Sequence, residues 1–261
     1  MSTRFCSRNF HRQAIATFAA LLLLSAGNAG LAQDGQKHLM LFGIPSATVA
    51  PSGLAFVSLS GSDRRTKENH KDGAFNEPDG SMAFGFGIGS AEDNIGFQVT
   101  AQITSLTDSF GDSGYFDFKA SRRIGSGGTP LYLGFQVDHA LSWGAGKLVD
   151  ANAKVMLTYF SEIHAGNGET YPIIMTVGAG NKVRGLGADP GIFAGVGIGL
   201  TRNLGASVAW SGDYIDAGFG FKLDGLDNFN FTAGVSDLFD QHDRRRIVVS
   251  VSYVWRDLFG G

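Results

Sequence analysis

The sequence predicts an all-β fold: a closed antiparallel transmembrane β-barrel of about twelve strands. Three observations predict it. Apolar and polar residues alternate along segments of about ten residues over most of the chain, the length a tilted strand needs to cross hydrocarbon. No window beyond the N-terminal region approaches the roughly 18 consecutive apolar residues of a spanning helix. The polar positions are Gly, Ser and Thr instead of the Lys and Glu of a soluble sandwich, in a chain with 38 Gly, 21 Phe and only 6 Pro.

The N-terminal residues read as a leader. Arg4, Arg8 and Arg12 precede an apolar run from Ala14 to Ala26, and Gly30 and Ala32 stand at −3 and −1 of a cut before Gln33. Charged region, short apolar region and small-x-small site make a secretory signal peptide over residues 1–32. The only cysteine, Cys6, lies inside it, so the exported chain has no disulfide and no thiolate chemistry. Loss of the three arginines leaves 18 basic residues against 24 acidic, which argues against a nucleic-acid partner. Residues 33–52 form either a periplasmic tail or a luminal segment, and the barrel is expected over 53–261. Leu39 to Phe42 need cover from water, and the glycine faces at Gly85, Gly87, Gly89 and at Gly195, Gly197, Gly199 leave room for another backbone.

Twelve strands are expected, starting near Gly53, Ser81, Ile95, Tyr115, Leu131, Ala151, Tyr171, Gly191, Leu204, Tyr214, Asn228 and Arg246. Phe97, Val99, Ala101 and Ile103 share one face, and Gln98, Thr100 and Gln102 the other. In the first strand Leu54/Phe56 compete with Ala55/Val57/Leu59 for the apolar face, and in the seventh Ile173 and Ile174 are adjacent. An even count puts both chain ends on one side of the membrane. With that side inward, the outer connections are mostly the longer ones and include His139–Asp150. Tyr115, Tyr159, Tyr171, Trp210, Tyr214, Tyr253 and Trp255 are expected to form interfacial girdles.

Over nearly its whole expected mature length the chain resembles the bacterial outer-membrane β-barrel class. The resemblance implies insertion by the outer-membrane assembly machinery and contact with outer-membrane lipid and lipopolysaccharide. In that class the last strand often ends on an aromatic residue; here Arg256 to Gly261 follow Trp255, so either Trp255 or Phe259 takes that part.

Alternation points Asp117, Lys119, Asp138, Lys154, Asp216 and Lys222 into the lumen, three acids and three bases. A strongly selective pore carries rings of one sign. The balanced set fits a small passive channel for hydrophilic solutes or a non-conducting structural barrel. Arg64, Arg65, Lys182, Arg184, Arg244 and Arg245, with neighbouring Arg246, are candidate contacts for lipopolysaccharide phosphates, or solvated loop charges. No cofactor or metal is expected. His139 and Ser142 are the only close nucleophile–base pair, without a Gly-x-Ser-x-Gly elbow, so no enzyme is expected, a lipid-modifying barrel enzyme being the alternative.

Overall fold

A computed structural model of the chain describes residues 37–63, 78–104, 106, 110–126, 130–242 and 245–256. The leader, Arg64, Arg65, Arg244 and Phe259 lie outside them. Twelve strands follow in sequence: β1 (Ala55–Ser62), β2 (Asp79–Gly89), β3 (Gly96–Ile103), β4 (Gly114–Arg123), β5 (Leu131–Trp143), β6 (Asn152–His164), β7 (Thr170–Arg184), β8 (Asp189–Gly199), β9 (Leu204–Trp210), β10 (Ile215–Phe221), β11 (Phe229–Ser236) and β12 (Arg246–Trp255). Each pairs antiparallel with its neighbour, and β1 pairs with β12 to close a barrel. Every strand begins within two residues of its expected start.

The faces follow the alternation. Phe84, Phe86, Ile88, Phe97, Phe135, Val208 and Phe219 are exposed on the exterior, while Gln98, Thr100 and Gln102 are buried inside. Apolar side chains thus cover the outside of the wall, the reverse of a soluble protein. The two ambiguous strands resolve cleanly. Phe56, Ser58 and Ser60 face inward and Leu59 outward; Ile174 is fully buried inside and Met175 faces out.

Call the end where β1 starts the near end and the opposite one the far end. At the near end Phe221, Phe231, Phe229, Tyr253 and Trp255 form one exterior aromatic cluster, with ring centroids 4.7–6.2 Å apart. Two residues expected in the girdles belong elsewhere. Tyr115 is fully buried in the lumen, stacked on His139 at 3.9 Å, and Tyr214 is 6% exposed, lining an internal cavity at the far end. On alternation alone an aromatic at a strand end fits lipid or lumen equally.

The expected connection His139–Asp150 is shorter than the sequence suggested, because β5 runs on to Trp143. It does so through two register shifts against β4. His139 and Leu141 sit there with φ of 56° and 48°, in the left-handed region. As in other bulges, the strand re-aims its side chains: the consecutive Asp138 and His139 are both buried.

Candidate functional site

The barrel is filled from within by its own chain. Residues 37–54 enter at the near end, where the His38 N–H donates to the Thr201 carbonyl (2.8 Å) and Lys37 pairs with Glu169. An ascending limb then runs along β8 to β11. A methyl group added at Gly197 or Gly205 would collide with the Met40 or His38 carbonyl, and at Gly218 or Gly234 with the Phe42 ring. The Phe42 N–H donates to Ser207 Oγ (2.9 Å). The chain turns at Gly43, whose φ of +89° and contact with the Asp216 side chain leave no room for a Cβ.

The descending limb crosses to the opposite wall. The Ala47 N–H donates to Thr158 Oγ1 (2.7 Å) and the Ala50 N–H to Gln98 Oε1 (2.9 Å). Lys119 Nζ donates to the carbonyls of Ser46 (3.2 Å) and Thr48 (3.4 Å). At the near end Ser52 bridges Gly87, and β1 begins. The segment is therefore a hairpin that enters and leaves by the same opening.

Its apolar residues form the protein's interior core. Leu41, Ile44 and Ala47 pack with Met156, Ile174 and Phe193. Burying a side chain such as Leu41 or Ile44 is worth about 1.5–3 kcal/mol, against about 1–2 kcal/mol of entropy per ordered residue. His38 is enclosed near the entrance; burial, then the Lys222 ammonium, push its imidazole down to about 4.

Beyond the hairpin's apex the lumen is charged. Asp138 pairs with Lys154 (2.5 Å), both buried. Asp117 accepts the His139 N–H (3.1 Å) and the Gln102 side-chain amide (3.3 Å). Across the lumen Asp216 accepts the Asp237 N–H (3.1 Å), with Ser236 and Arg246 beside it. A cavity of about 80 Å³ lies between the apex and the far-end loops, lined in part by Gly43, Ile44, Lys154, Lys182, Asp213 and Asp216. That is room for several waters.

The proposed luminal residues thus divide by height. Asp117, Asp138, Lys154 and Asp216 lie in the far half, Lys119 holds the hairpin at mid-height, and Lys222 sits near His38 at the near end. Two of the described basic residues of the far rim are ion-paired. Lys182 pairs with Asp150 (3.0 Å), Arg245 with Asp240 (3.9 Å), and Arg184 is exposed. Arg246, grouped with them by sequence adjacency, is 3% exposed and points inward, as its position beside the outward Ile247 requires. The His139–Ser142 pair is not assembled: Ser142 Oγ donates to the His139 carbonyl (2.8 Å), and both ring nitrogens of His139 lack partners.

No protein-family model and no curated protein sequence matches the chain. Among solved structures it is similar to the outer membrane protein Omp33 of Acinetobacter baumannii, with 11% identity over 78% of this chain and 98% of that one and a TM-score of 0.45. It is also similar to the COG4313 outer membrane channel from Pseudomonas putida F1, with 10% identity over 86% of this chain and all of that one and a TM-score of 0.43.

Proposed function

We propose that the chain is an outer-membrane barrel, exported with loss of residues 1–32, that passes small hydrophilic solutes passively once its hairpin leaves the lumen. The apolar exterior supports residence in a bilayer, with the far end outward in lipopolysaccharide and the near end in the periplasm. One observation carries the channel reading: the plug is a hairpin rooted at a single opening. The backbone of residues 42 to 50 is bonded to barrel side chains, from Ser207, Thr158, Gln98 and Lys119, and not to a strand. It can withdraw toward the near end without unpairing the wall or threading a free end.

A second reading, a non-conducting structural barrel, is favoured by the burial of Leu41, Phe42 and Ile44. In neither reading does the barrel act as an enzyme. Planar-bilayer recordings separate them. The channel reading expects rare openings from the mature protein and stable steps from a variant starting at Gly53. Correctly folded barrels that never conduct in either form would establish the structural reading.

A further inference from the structure

The strained patch on β3 to β6 has more hydrogen-bonding capacity than its own residues use. Gln102 and Tyr115 are register partners, as are Lys119 and Gln136, and Asp138 and Asn152. All six are buried. The carboxamide of Gln102 bonds Asp117 and that of Gln136 bonds Asp138 through nitrogen, which leaves each Oε1 without a partner. Tyr115 Oη, both ring nitrogens of His139 and Asn152 Oδ1 are equally unpartnered. Buried polar atoms are ordinarily satisfied, so a concentration of exceptions marks a place where something else bonds.

The surroundings point the same way. His139 is held by stacking on Tyr115, and it reaches the lumen through a bulge with non-glycine residues at positive φ. Such strain persists where a site is being shaped.

The chemistry of the patch restricts what it takes. The formal charges of Asp117 and Asp138 cancel those of Lys119 and Lys154, so a buried ionic ligand would lack a counter-charge. The free atoms include acceptors (Gln102, Gln136, Asn152) and groups that both donate and accept (Tyr115, His139). Hydroxyl groups answer both kinds at once. We propose that Gln102, Tyr115, Asp117, Gln136, Asp138 and His139 form a binding site for a small neutral polyhydroxylated solute in the far half of the lumen. The solute class rests on the channel reading above: the patch lies just beyond the hairpin's apex, and a solute reaches it along the lumen once the hairpin, held at mid-height by Lys119, moves away.

Saturation-transfer NMR with glucose as probe tests the site without measuring current, so a barrel that never conducts can still bind. Two full-length forms are used in detergent: the unaltered chain, and Gly197→Val, in which the ascending limb is displaced. Heat-modifiable migration on gels verifies folding. Glucose should bind to Gly197→Val more strongly than to the unaltered chain. Asp117→Asn and Gln136→Ala, each in the Gly197→Val background, should each weaken binding at least tenfold, and whichever of them folds suffices. Ser250→Ala, on the luminal face of β12, should leave binding unchanged, and choline chloride should not bind. No glucose signal from either form, equal binding by the site variants, or preference for choline would overturn the proposal.

Discussion

The two walls of the lumen are built from opposite materials. The wall from β8 to β11 is nearly bare: Gly197, Gly205, Gly218 and Gly234 bring the ascending limb against the strand backbone. The wall from β3 to β6 carries Gln98, Lys119, Gln136, Asp138 and Lys154, side chains long enough to reach across space. The first holds the hairpin mainly by fit, with one bond from the Phe42 N–H to Ser207; the second supplies most of the hydrogen bonds, although Gly134 there also meets Ala47 closely. Fit is lost with a single methyl group, whereas bonds to several side chains fail one at a time.

The largest expected effect on current therefore comes from the bare wall. Gly197→Val puts a side chain where the Met40 carbonyl lies and should displace the ascending limb. In planar bilayers it should raise open probability by at least roughly tenfold, equivalent to about 1.4 kcal/mol. Ser250→Ala, on the luminal face of β12, should change little, and equal effects would break the contrast between fit and bonding.

Next comes the exterior. Phe97→Arg or Val208→Arg should cost about 2–4 kcal/mol near the bilayer midplane, read from urea unfolding in lipid vesicles. Gln98→Arg, one residue away, removes the acceptor of the Ala50 N–H and should loosen the hairpin while sparing the barrel. Equal loss of barrel stability in both would contradict the assignment of faces.

On the polar wall, Lys119→Met removes two bonds to hairpin carbonyls. A bond from a charged donor contributes about 1.5–3 kcal/mol. Hydrogen exchange and limited proteolysis should accelerate within residues 39–50 and not in the strands.

Acid should have the smallest effect. Docked, His38 is neutral down to about 4, whereas a withdrawn histidine titrates near 6.5. The withdrawn state binds more protons between those values. Docking is thus fully favoured above about 6.5 and weakens as pH falls toward 4. Proteolysis of the hairpin should be faster at pH 5 than at pH 7.5, and His38→Gln should flatten the difference.

How much of this was legible in the sequence depends on whether a side chain's face was fixed by period two. The strands were, because a half-apolar wall repeats its signal twelve times. Arg246 was grouped with the outer charges on sequence adjacency, although strict alternation from Ile247 carried the signal that turns it inward. Tyr115 and Tyr214 were not legible, because alternation places an aromatic without saying whether lipid or lumen lies beyond it. Leu141 has no affinity for positive φ and the enrichment of histidine there is too weak a signal, so nothing local announced that Asp138 and His139 would point the same way. The glycine faces signalled a close backbone approach. A luminal place for residues 33–52 was one of two expectations for what they approached; Gly87 meets Ala50, 37 positions away, and Gly197 meets Met40, 157 positions away.

The central claim is that the hairpin sits in the lumen and blocks it. The single cysteine of the chain falls in the expected leader, so a disulfide can be introduced cleanly. In Ala47→Cys with Thr158→Cys, the two positions joined by a 2.7 Å hydrogen bond can be locked or freed while current is recorded. The account predicts that the oxidised barrel stays shut and that a reductant restores openings. Equal current before and after reduction, with the crosslink verified on gels, would contradict it.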